Sequence, residues 1–168
     1  LAPFLWHLGI RRLDHVILSH DHPDHRNGLK FVLSHFSVGS YWENGLSESD
    51  SSPGELAVIA ARRRIPILRL PELQRERNIG DCKVLLLHPT PNYLKHSWDG
   101  RDLNNTSLVL LVSLGKTRIL IPGDVDQSVE ALLPAQAFPP EGTLLIAPHH
   151  GRSEERRVGK ECSPWWAP

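Results

Sequence analysis

The stretch Asp14-His-Val-Ile-Leu-Ser-His-Asp-His-Pro-Asp-His25 governs how the rest of the chain is read. Asp14–Ser19 is a short apolar run of the kind that forms a buried strand. The apolar character then stops. His20-Asp-His-Pro-Asp-His25 is polar and carries a proline, which reads as a loop. Imidazole and carboxylate together are the ligand set of divalent transition metals. In an extended segment His20 and His22 project the same way and can grip one ion. Asp24 and His25, beyond a proline-induced turn, can face a second. A further ligand has to come from elsewhere in the chain, and Asp124 in Gly123-Asp-Val125 is the obvious bridge.

Outward from this stretch, strand-like and helix-like runs alternate. Gly28–Phe36 has Leu29, Val32, Leu33 and Phe36 at helical spacing. Val38–Trp42 reads as a strand and Glu43–Ser52 as an exposed loop. Ser52, Pro53 and Glu55 form a capping box for a helix. Its apolar face is Leu56, Ile59 and Ala60, and its end is Arg62-Arg-Arg64, where cations suit the dipole. Ile65–Leu70, Lys83–His88, Ser107–Ser113, Thr117–Ile121 and Thr143–Ala147 read as strands. Leu114-Gly-Lys116 joins two of them in a hairpin. Asp126 caps a short helix over Asp126–Leu133. The expected architecture is a mixed α/β layered domain with helices outside packed sheets. Each chemically interesting group follows the C-terminal end of a predicted strand: His20–His25, Asp124, and the pair His149–His150 before Gly151. Ligands gather at such ends in layered α/β folds.

Composition bounds the alternatives. Of 168 residues 40% are hydrophobic and 23% charged, a globular balance. No apolar run approaches the roughly 20 residues of a membrane span. Lys plus Arg (19) equals Asp plus Glu (19), so bulk charge gives no reason to expect nucleic acid or acidic lipid as partner. Cys82 and Cys162 cannot build a disulfide framework. Ten histidines are the unusual feature. His7, His15 and His35 read as ordinary surface or half-buried residues, and His88 and His96 as weaker candidate ligands. Methionine is absent and Leu1–Ile10 lacks a leader's features, so the chain is expected to begin within a domain. Arg152–Cys162 resembles the conceptual translation of a sequencing-adapter oligonucleotide. The expected organisation is therefore a partial domain over 1–151 and a non-native tail over 152–168.

His20-Asp-His-Pro-Asp-His25 matches the HxHxDH signature of the metallo-β-lactamase superfamily, which the chain resembles over nearly all of 1–151. Asn104-Asn-Thr-Ser-Leu-Val-Leu110, Ile121-Pro-Gly-Asp124 and Ala147-Pro-His-His-Gly151 resemble one branch of it, the soluble domain of the DNA-internalization competence protein ComEC. The resemblance implies an αββα sandwich, here incomplete at both ends, with two divalent ions, zinc or manganese. His20 and His22 would bind one metal, and Asp24 and His25 the other. Asp124 would bridge, and one of the final histidine pair, His149 in preference to His150, would complete the second site. Asn104 and Ser107 stand in the region where many members carry a further histidine, and either hold a metal-bound water or a substrate oxygen, or close a turn.

The implied activity is phosphodiester hydrolysis of DNA by a hydroxide activated between two metals, with Asp24, His150 and Ser107 serving catalysis. His150 or Ser107 would donate to the leaving oxygen. In that setting the domain belongs to a membrane channel protein and faces the cell exterior or periplasm. Two rivals stand beside it: a separate hydrolase of a small phosphoester or lactone, and a metal-binding module without turnover.

Overall fold

A computed structural model describes residues 1–47, 54–97, 102–134 and 143–146. Strands β1 (Arg12–Ile17), β2 (Ser37–Trp42) and β3 (Ile67–Leu68) form a parallel sheet in that order. Parallel neighbours need crossover connections, and helices α2 (Pro23–His35) and α3 (Glu55–Arg62) supply them. Strands β4 (Arg77–Ile79), β5 (Cys82–His88), β6 (Val109–Leu114) and β7 (Thr117–Ile121) form an antiparallel second sheet. β8 (Thr143–Leu145) joins it parallel to β7.

Side-chain alternation along the strands stacks these parts into layers. Val16 and Tyr41 face α2 and α3, where they pack with Val32, Leu33, Phe36, Leu56 and Ala60. Their neighbours Ile17 and Trp42 face the other way, against Val84, Leu108 and Leu110 of the second sheet. On that sheet's far side Val109 and Leu120 pack with Tyr93 of α4 (Pro91–His96) and Val129 of α5 (Gln127–Glu130). The order is helix, sheet, sheet, helix, as expected. Leu33, Phe36 and Tyr41 are fully buried, with Leu33 and Phe36 each contributing roughly 1.5–3 kcal/mol. Helix α1 (Ala2–His7), absent from the sequence reading, lays Trp6 flat on Phe36 with ring centroids 5.5 Å apart.

Several boundaries differ from expectation. α2 begins at Pro23 rather than Gly28, because His22 adopts the extended N-cap geometry and Pro23 the first helical position. The second half of the histidine motif is therefore the first turn of a helix and not a loop. Ser52 and Pro53 lie outside the described residues, and the N-cap of α3 is Gly54, with no side-chain cap. The strand expected over Ile65–Leu70 shortens to Ile67–Leu68. β5 was expected, but its hairpin partner β4 and the helix α4 were not: both segments are short, and the apolar period of each is too brief to register. At α4 the start is set locally: Thr90 caps by accepting from the Tyr93 amide at 3.1 Å.

Candidate metal centre

Beyond β1 the chain still pairs with β2 through Leu18 N–H to the Trp42 carbonyl at 2.9 Å. At Ser19 it turns to the second sheet, accepting from the Leu108 amide at 2.9 Å. His20 follows, fully buried between the sheets. Asp124 arrives from the turn after β7, where Gly123 has φ +64°. A Cβ on Gly123 would lie 2.7 Å from the Ser107 Cβ and 3.2 Å from the Ser19 Cβ. That turn is thus pressed directly onto both serines, and only glycine lets Asp124 reach the histidines.

His20, His25 and Asp124 each place a ligand atom within 4.8 Å of the others. His25 Nε2 lies 3.1 Å from Asp124 Oδ2, and His20 Nε2 lies 3.0 Å from His22 Nδ1. The buried ring of His20 and the half-buried ring of His25 have centroids 4.2 Å apart. Burial, then the neighbouring His25 and His22, hold the His20 pKa down at about 4, against the opposing pull of Asp124 and Asp24. At neutral pH this imidazole is uncharged and keeps a lone pair, which is what a metal ligand requires. Asp24 sits more openly, its side chain 66% exposed and its Oδ2 3.9 Å from His25 Nε2. Nitrogen and carboxylate donors in this number fit zinc, manganese or iron.

Ser107 is fully buried behind His20, its Oγ 3.2 Å from His20 Nδ1. Its hydroxyl donates to the Asn104 carbonyl at 2.7 Å, so its proton is already engaged and does not face a leaving group. Asn104 meets the site through that carbonyl, and its buried Oδ1 has no hydrogen-bond partner among the described residues. His149 and His150 lie outside the described residues. His88, a weaker candidate, is buried away from the cluster, its Nε2 2.8 Å from the Asn105 carbonyl and its ring against Tyr93. Burial lowers its pKa, with the bond to Asn105 opposing. Arg63 spends its guanidinium on the carbonyls of Ser34 and Phe36, which braces the end of α2.

Two contributors escaped the sequence reading. Asp21, between two candidate ligands, is buried and pairs with Arg26 of α2 at 3.1 Å, tying the loop to the helix. Ser19 sits 3.1 Å from both His20 Nδ1 and His25 Nδ1. Its position directly before the motif was visible, but a hydroxyl's partners are a matter of tertiary structure.

A family model described as the metallo-β-lactamase superfamily matches residues 1–98. The chain belongs to the metallo-β-lactamase superfamily. Superfamily membership agrees with the two-sheet core and with the cluster at its edge. No curated protein matches the chain. Among solved structures it is similar to the crystal structure of CmlA, a diiron β-hydroxylase from Streptomyces venezuelae. The identity is 17% and the TM-score 0.41, with 66% of this chain covering 20% of that one. A point mutant of the CmlA β-hydroxylase gives 18% and 0.42, with 69% of this chain covering 22% of that one. This superfamily chain thus spans about a fifth of the length of those proteins.

Proposed function

We propose that the chain is the metal-binding part of a hydrolase that cleaves phosphodiesters, with DNA as substrate and a ComEC-like DNA-uptake protein as its setting. The observation that carries the metal-dependent part is the convergence of His20, His25 and Asp124 from two different sheets, within 4.8 Å. His20 and His22 would hold one ion, Asp24 and His25 a second, and Asp124 would lie between, with His149 completing the set. Bound divalent ions, zinc or manganese, supply Lewis acidity and lower the pKa of water towards neutrality. The chain itself keeps His20 uncharged by burial, fixes the loop through Asp21 and Arg26, and leaves the Asp24 side open to solvent for substrate approach.

The DNA reading is supported by the likeness of Asn104–Leu110 and Ile121–Asp124 to the ComEC branch. In that setting the chain is joined to a membrane channel portion and faces the exterior or periplasm. Among the described residues no helix is long and apolar enough to cross a membrane. A second reading, hydrolysis of a small phosphoester or lactone, is favoured by charge. A nuclease commonly carries a basic track for the backbone, whereas here 19 basic residues balance 19 acidic ones.

Incubating the zinc- or manganese-loaded chain with single-stranded DNA and with bis(p-nitrophenyl) phosphate tests both. The expected result is DNA cleavage that is lost with chelator and in the His20→Ala, Asp24→Ala double variant. Cleavage of the small ester alone selects the second reading. Stoichiometric metal binding with neither cleavage leaves a binding module.

A further inference from the structure

We propose that Ser19 and Ser107 are positioning residues that decide which nitrogen of His20 and of His25 carries the proton, and so aim the metal-facing nitrogens. This rests on reading the cluster as a metal site. A serine hydroxyl has one proton to give and two lone pairs to receive with. Ser107 Oγ has three partners: the Asn104 carbonyl at 2.7 Å, the Asp124 amide at 3.1 Å and His20 Nδ1 at 3.2 Å. A carbonyl only accepts, so the Ser107 proton goes to Asn104. A backbone amide only donates, so Asp124 takes one lone pair. Towards His20 only the second lone pair remains. His20 Nδ1 must therefore be the donor, and in a neutral ring Nε2 is left bare. That bare nitrogen is the one facing His22 Nδ1 at 3.0 Å. Ser107 and His20 are both fully buried, so no solvent competes for these bonds.

Ser19 extends the same logic to the neighbouring ring. Its Oγ lies 3.1 Å from His20 Nδ1, whose hydrogen it shares with Ser107, and 3.1 Å from His25 Nδ1. On its other side His25 Nε2 faces Asp124 Oδ2 at 3.1 Å. The carboxylate accepts, so without metal Nε2 carries the proton and Nδ1 receives the Ser19 hydroxyl. For His25 Nε2 to become a ligand, its proton must leave for solvent while Nδ1 takes one up, with no change in net charge. Ser19 accommodates this by rotating about its Cβ–Oγ bond, from donor to acceptor. His20 has its tautomer set permanently, and His25 has one that the hydroxyl can follow either way. Orienting partners of this kind are worth about ten- to a hundredfold in metal affinity.

The test begins with the ring nitrogens of the metal-free full chain, observed by 15N NMR at neutral pH. The expected spectrum has His20 protonated on Nδ1 and bare on Nε2, and His25 the reverse. Ser107→Ala should turn His20 into a mixture of tautomers, and Ser107→Thr should restore one. In zinc titrations by calorimetry, Ser19→Ala and Ser107→Ala should each weaken binding about ten- to a hundredfold, with Ser19→Thr recovering it. Circular dichroism in chelator checks that the variants fold. A wild-type His20 carrying its proton on Nε2 overturns the proposal, whether or not any alanine variant folds. So does a pair of folded alanine variants with wild-type tautomers and wild-type zinc affinity. If the tautomers are as stated but the wild-type chain binds no metal, the metal reading fails and the proton assignment stands.

Discussion

A single methyl group added at Gly123 meets the Ser107 Cβ at 2.7 Å and its Oγ at 2.9 Å, from a backbone with φ +64°. Neither the clash nor the left-handed conformation is tolerable for alanine. Gly123→Ala is expected to cost about 1–3 kcal/mol in urea unfolding, and to weaken zinc binding by displacing Asp124. Stability without loss of zinc affinity would show that the turn can relax without moving its ligand. Protons act at the same scale. His20, held at about 4, refuses protons that an unfolded imidazole takes up near 6.5. His88 is lowered too. The unfolded state therefore binds more protons across this window, and stability present above pH ~6.5 drains away as the pH falls towards 4. His20 alone accounts for about 3 kcal/mol of it. Urea midpoints measured in chelator at about pH 7.5 and about pH 4.5 should differ accordingly, and equal midpoints would refute the burial of an uncharged His20.

Among elements, α5 shows how a short helix is held by its first residue. Asp126 accepts from the Ser128 amide at 2.8 Å and the Val129 amide at 3.3 Å, while Asn105 Nδ2 donates to it at 3.0 Å. Partial burial pushes its pKa up, but the bonds from Asn105, Ser128 and Val129 outweigh this and hold it below the usual carboxylate range. Asp126→Ala should cost about 0.5–2 kcal/mol in thermal unfolding, with Asn largely restoring it. This cap was legible in the sequence, as were most strands, because each is a local pattern. The apolar runs of β6 and β7 marked them as strands, and the HxHxDH motif announced its chemistry through residue types alone. What stayed hidden depends on partners distant in sequence. Pro23 looked like a loop breaker, yet the same ring suits a helix start once His22 is extended. Ser107 looked like a proton donor until the Asn104 carbonyl claimed its hydrogen. Ser19 had no local signal, since its partners are defined only by the folded loop.

At the scale of the molecule, the cluster draws on both sheets: His20 and His25 follow β1, and Asp124 follows β7. An ion held there stabilises only the folded chain, by about 2.7 kcal/mol when its free concentration is a hundred times the dissociation constant. For a chain of this size that is a rise in Tm of roughly 5–10 °C. Differential scanning calorimetry with zinc and with chelator should show it, and Asp124→Ala should largely remove the difference. An unchanged Tm would mean that the cluster takes up no ion. The pairing of His25 with Asp124 spans 99 positions of sequence. Such distant partners meet late, because the entropy of closing the intervening chain must be overcome before they reward it. A chain emerging from the ribosome carries the histidine motif long before it carries the aspartate. Until the second sheet has docked, those histidines lack the Asp124 carboxylate that completes the cluster. On the metal reading proposed above, ion capture acts as a timer: a chain that has not yet reached Asp124 holds no complete site.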